Sequence, residues 1–105
     1  MRRAAKVDDN HAEIVGYFRK LGCQVFNISQ LKNCADLVVK RGNKIVLVEV
    51  KDGKKPPSAR KLTPGEVKFH SEWAGSVFVV LDLSDVLALV RAMEKSLNTA
   101  QPRNA

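Results

Sequence analysis

From Ala35 to Lys51 the chain reads A-D-L-V-V-K-R-G-N-K-I-V-L-V-E-V-K, two apolar runs joined by Gly42-Asn43. A two-residue turn of the Gly-X kind between such runs predicts a β-hairpin. With Arg41 and Lys44 flanking the turn, facing pairs step outward from Lys40 with Ile45 to Asp36 with Glu49. Strand side chains alternate, so Asp36, Glu49 and Lys51 share one face and Val46, Val48 and Val50 the other.

The segments around the hairpin follow the helical or strand period. Asp8, Asp9 and Asn10 offer N-caps for a helix to about Leu21, which Gly22 ends. His11, Ile14, Val15, Phe18 and Leu21 lie on its apolar side, with Glu13 about 140° away. His11 therefore points toward the sheet, either as a core histidine or as a ligand or proton-transfer group. Cys23 to Ile28 predicts a first strand. After the hairpin, K-D-G-K-K-P-P-S-A-R-K predicts a loop, since Gly53 and two prolines oppose helix and strand.

Thr63-Pro64-Gly65-Glu66 predicts a helix start, with Thr63 as N-cap and Glu66 completing a capping box. That helix runs to Ala74, carries Val67, His70 and Trp73 on one side, and ends at Gly75; His70 and Trp73 are expected in the core. Val77 to Leu81 is apolar throughout, the pattern of a strand covered on both faces and paired in parallel through the crossover helix. Ser84 is the expected cap of a last helix with a stripe of Val86, Leu87, Leu89, Val90 and Met93. This helix and the strand before it serve as core or as interface. The predicted order is αβββαβα, with residues 1–7 a mobile basic arm and 98–105 a frayed tail.

Composition narrows the class. The 105 residues, 45% of them hydrophobic, fit a single domain spanning 1–105. A formal net charge of +7 points to a polyanionic partner. No apolar run approaches the roughly 20 residues of a membrane span and the N-terminus lacks a signal-peptide core, so a cytoplasmic protein without membrane contact is expected. Cys23 and Cys34 lack metal-ligand spacing and are expected to be reduced and structural, the alternative being a disulfide. Tyr17, Phe26, Phe69 and Trp73 form no evident stacking platform, which disfavours a small RNA-binding protein. No Gly-rich phosphate loop calls for an organic cofactor.

Like charges directly opposed on a sheet destabilise it unless something compensates. Two readings of Asp36 and Glu49 follow: an exposed pair at strand ends, or a site for a hard cation such as Mg²⁺ or Mn²⁺. Lys54, Lys55, Arg60 and Lys61 in the loop, with Arg2 and Arg3 in the arm, are either phosphate contacts or solvated charges.

A helix, a three-strand meander carrying Asp36, Glu49-x-Lys51 on the next strand, then helix and strand, resembles the PD-(D/E)XK nuclease core. Within that superfamily the runs L-V-E-V-K-D-G-K-K-P-P-S-A-R-K-L-T-P-G-E and F-H-S-E-W-A-G are similar to stretches of the small stand-alone VRR-NUC nucleases of phages and bacteria. The resemblance implies an α/β fold: a restriction-endonuclease-like αβββαβ core with an extra C-terminal helix, and a mixed central sheet flanked by helices. It also implies a Mg²⁺- or Mn²⁺-dependent endodeoxyribonuclease, a homodimer acting on branched DNA such as a Holliday junction, in a bacterial or phage-infected cell. By the same resemblance Asp36, Glu49 and the Val50 carbonyl hold the metal, Lys51 positions the attacking water, and the products carry 5′-phosphates. The sequence departs from the pattern twice: Ala35 replaces the motif proline, and His11 stands where related junction-cleaving enzymes have a helix-one glutamate, Glu13 facing elsewhere. A catalytically weak or silent DNA-binding or assembly protein of the same fold is the alternative.

Overall fold

The protein is described by a computed structural model over residues 8–100, with side-chain surroundings for residues 8–95. Arg2, Arg3 and the rest of the basic arm lie outside the described residues, as do 101–105. The elements run α1 (His11–Lys20), β1 (Gln24–Asn27), β2 (Leu37–Arg41), β3 (Lys44–Val50), a 3-10 turn (Pro57–Arg60), α2 (Pro64–Glu72), β4 (Val77–Val80) and α3 (Leu83–Ala100). This is a mixed α/β chain with one four-stranded sheet in the order β1-β2-β3-β4.

The hairpin has the register that the sequence predicts, from Arg41 opposite Lys44 to Leu37 opposite Val48. Gly42 takes φ +64° while Asn43 keeps a negative φ, the arrangement of a II′ turn with glycine at its first central position. β1 pairs antiparallel to β2, and β4 pairs parallel to β3, as the crossover requires.

One face of the sheet makes the core. Leu37, Val39, Val46, Val48, Val50 and Val80 meet Ile14 and Phe18 of α1 and Val86, Leu89, Val90 and Met93 of α3. Each such side chain contributes about 1.5–3 kcal/mol by leaving water. Arg41, at the end of β2, bonds both Leu21 O at the close of α1 and Glu94 of α3, which ties the two helices together. α2 lies apart from this core, and none of its residues is fully buried.

Several expectations are corrected. β1 is shorter than Cys23–Ile28, and α2 stops at Glu72 instead of Ala74. The loop after β3 contains a 3-10 turn over Pro57–Arg60: proline at its first position has no N–H to satisfy and its fixed φ suits the turn. α3 begins at Leu83, not after Ser84, because Asp82 accepts from Asp85 N at 3.0 Å and so does the capping. It continues as helix through Asn98 to Ala100. Trp73 is not core; it is 49% exposed at the end of α2 and stacks on Phe69. Nor is β4 covered on both faces: it is an edge strand with Phe78 and Val79 exposed.

Candidate active site

Asp36 sits in the bend just before β2, one step beyond the Leu37–Val48 pair, and so arrives beside Glu49 near the end of β3. Val50 N donates to Asp36 Oδ2 at 2.7 Å, so the backbone of β3 holds that carboxylate. Lys51, just beyond the strand, places its Nζ 3.2 Å from Glu66 Oε1 and 3.7 Å from Glu49 Oε2. A pocket of about 320 Å³ opens over Asp36, Glu49, Lys51 and Glu66, with Asp8 and Lys55 on its wall. Lys55 and Asp8 form an ion pair there at 3.4 Å.

α1 is anchored at this site by its N-terminus. Asn10 makes no side-chain cap; its Nδ2 donates instead to Lys51 O at 3.1 Å and to Leu81 O at 3.0 Å, joining the helix to the ends of β3 and β4. The next residue, His11, is buried with both ring nitrogens unpartnered, and it lies near enough to Asp36 that a charged imidazole would favour the ionised carboxylate.

Two residues that the sequence reading left out of the site belong to it. Glu66 completes the capping box, Thr63 N donating to its Oε1 at 3.0 Å, yet the same oxygen accepts from Lys51. Its part in the capping box concealed the second role. His70 lies one turn further along α2, with Nε2 3.7 Å from Glu49 Oε1. The spacing from Glu66 to His70, which puts both on one side of a helix, was the available signal.

Burial dominates the electrostatics. Glu49 is 3% exposed, and desolvation, reinforced by the neighbouring Asp36 charge, pushes its pKa up to about 9. Asp36 is raised too, burial outweighing the Val50 N–H bond that favours its charge. For Lys51 burial acts downward, but Glu66 and Glu49 overcome it and the net direction is upward. His70 is lowered by burial against the pull of Glu66.

These shifts give a pH prediction for the metal-free protein. Glu49 in the fold sits at about 9, above its ordinary 4.5, so the fold favours the protonated form. Its contribution to stability is complete below about pH 4.5 and is lost as pH rises through about 9, at up to about 1.4 kcal/mol per unit. In EDTA the thermal midpoint is expected to fall between about pH 5 and 9, and Glu49→Gln to flatten that slope. A slope unchanged in Glu49→Gln would assign the titration to another group.

Among the described residues, no group of three or more His, Cys, Asp or Glu side chains is placed to hold a metal ion. The donor set nonetheless fits a divalent cation that takes one or two carboxylates and fills its other positions with water and phosphate. Ionised together, Asp36 and Glu49 would crowd negative charge into a buried corner, and Glu49 Oε1 is buried without a hydrogen-bond partner. A cation there satisfies both.

The basic candidates divide. Lys55 reaches the pocket, whereas Lys54 lines a separate one on the α1 side with Asp52 and Glu13. Lys61 is exposed, and Arg60 is half-buried in the 3-10 turn with an unpartnered Nε. Both cysteines are free, Cys23 in the core and Cys34 in the bend before β2. Among the described residues no helix is long and apolar enough to cross a membrane.

No protein-family model, curated protein or solved structure matches the chain.

Proposed function

We propose that this chain is a divalent-metal-dependent endodeoxyribonuclease with a PD-(D/E)XK core of the VRR-NUC kind, selective for branched DNA such as a four-way junction. The observation that carries the reading is the meeting of Asp36, Glu49 and Lys51 in one pocket on a chain of net charge +7. Asp36, Glu49 and the Val50 carbonyl would hold Mg²⁺ or Mn²⁺. Such an ion, when bound, supplies a water of lowered pKa and neutralises charge developing on the phosphate. Lys51, held between Glu66 and Glu49, keeps its proton and donates to the phosphate oxygens or orients the attacking water. Lys55 on the wall and exposed Lys54 and Lys61 contact the DNA backbone, and Arg60 lies beside them. Within this reading His11, buried near Asp36 with both ring nitrogens free of hydrogen bonds, is the ligand or proton-transfer group that α1 brings to the site.

The test is cleavage of a labelled four-way junction and a matched linear duplex, with Mg²⁺, Mn²⁺ or EDTA. Paired, metal-dependent nicks in the junction alone are expected. Equal cutting of both substrates would leave a general nuclease, and tight binding with no cutting under either metal would replace the reading with a silent DNA-binding protein.

The same proposal includes a homodimer, since paired nicks need two sites. Its support is β4, an edge strand of four apolar residues without the lysine or proline that usually guards an edge. A groove of about 310 Å³ flanks it, lined by Phe78, Ala88, Leu89 and Ala92. Phe78 and Val79 of the strand and Ala88 and Ala92 of α3 are exposed, with the strand's free backbone edge beside them. A two-fold axis normal to the sheet would pair β4 antiparallel to itself and keep both sites on one face. By size-exclusion chromatography with light scattering, wild type is expected to be a dimer and Val79→Lys a folded monomer. A dimer that survives Val79→Lys would move the interface elsewhere.

A cytoplasmic setting in a bacterial or phage-infected cell belongs to the same proposal, and the two unpaired cysteines suit a reducing compartment.

A further inference from the structure

His70 and Glu49 share an unusual relation. The imidazole is held by α2 and the carboxylate by β3, and their facing atoms, Nε2 and Oε1, are both buried and both lack a hydrogen-bond partner. They stand 3.7 Å apart, too far for a hydrogen bond. Buried polar atoms are normally paired, so two that face each other across a gap call for something between them. Two ligands each roughly 2.1 Å from one ion stand about 3.0 Å apart at a right angle and about 4.2 Å apart when opposed. The observed separation falls inside that range.

The surroundings agree with a cation. Lys51 approaches Glu49 through the other oxygen, Oε2, and leaves Oε1 free to face the imidazole. Glu66, one turn before His70, occupies Lys51 and Thr63 N. The helix start therefore fixes α2 by its capping box and aims the next turn at Glu49.

We propose that His70 Nε2 is a ligand, together with Glu49, of the divalent cation in this site, and that the site therefore prefers a first-row transition ion to Mg²⁺. The inference rests on the cation reading of Asp36 and Glu49 and adds a nitrogen donor to it. Magnesium is a hard ion that favours oxygen and holds its waters, whereas imidazole binds first-row transition ions, of which Mn²⁺ has the weakest demand for nitrogen. Mn²⁺ is thus the strictest probe of the idea.

The experiment uses the full chain and no DNA. Binding of Mn²⁺ and Mg²⁺ is measured by calorimetry for wild type, His70→Ala, His70→Gln and Asp36→Asn, and bound Mn²⁺ is examined by pulsed electron paramagnetic resonance for a directly coordinated nitrogen. Wild type is expected to bind Mn²⁺ at least ~10-fold more tightly than Mg²⁺ and to show the nitrogen modulation. His70→Ala and His70→Gln are expected to lose the modulation, and Mn²⁺ affinity to fall ~10–100-fold, with thermal midpoints confirming that both fold. Nitrogen modulation that persists in both variants, or Mn²⁺ affinity that neither changes, overturns the proposal. If Asp36→Asn weakens Mn²⁺ while the His70 variants do not, the ligand assignment falls and the cation site stands. If wild type binds neither ion, both fall together.

Discussion

Asp36→Asn is expected to lower metal-dependent nicking of a four-way junction on the order of 10³-fold or more, with junction affinity in EDTA kept within a few-fold. Asparagine is the informative substitution. Its Oδ1 can still accept from Val50 N, a bond of 2.7 Å in this fold, so the end of β3 keeps its geometry while the anionic ligand is lost. Alanine would strand a buried N–H at a cost of about 1–3 kcal/mol and mix a folding defect into the assay. The check is a single-turnover cleavage assay beside a gel-shift titration on the same preparations. Undiminished cleavage by Asp36→Asn would remove Asp36 from the site. Parallel loss of binding and cleavage would mean that Asp36 acts through structure.

Phe18→Ala is expected to cost about 3–5 kcal/mol, the usual range for deleting a fully buried aromatic ring. Phe18 is 0% exposed, in the core between α1 and the sheet. For a chain of this size each kcal/mol lowers the thermal midpoint by about 4–8 °C, so unfolding at ambient temperature comes within reach. Urea denaturation followed by circular dichroism measures it. A loss below about 1 kcal/mol would show that α1 contributes little to the core, and with it the anchoring of Asn10 and His11 at the site. In contrast, Val79→Lys lies on the exposed edge and is expected to change association without that loss.

The difference between these two substitutions follows from what the sequence can encode locally. The hairpin register was legible because a two-residue glycine turn and a period-2 pattern leave one self-consistent alignment, and a slip of one residue would turn Val46, Val48 and Val50 out of the core. That alignment alone put Asp36 beside Glu49 with Lys51 on their side. The capping box at Thr63 was legible for the same reason: both partners lie within four residues.

Other features depended on packing between distant segments. Asp8, Asp9 and Asn10 all read as caps, but only the arrival of β3 and β4 beside α1 gives Asn10 the carbonyls of Lys51 and Leu81 to bond. Trp73 and β4 read as core because apolar residues in a helix or strand usually are. The order of strands left β4 at an edge, and α2 stayed outside the main core.

The hairpin, its register and the pair of carboxylates were encoded locally, since turn chemistry and side-chain alternation act over a few residues. Which groups face that pair was set by packing between segments distant in the chain. Glu66, His70 and His11 come to Asp36, Glu49 and Lys51 from helices far along the chain, and long-range packing, not local periodicity, sets that encounter.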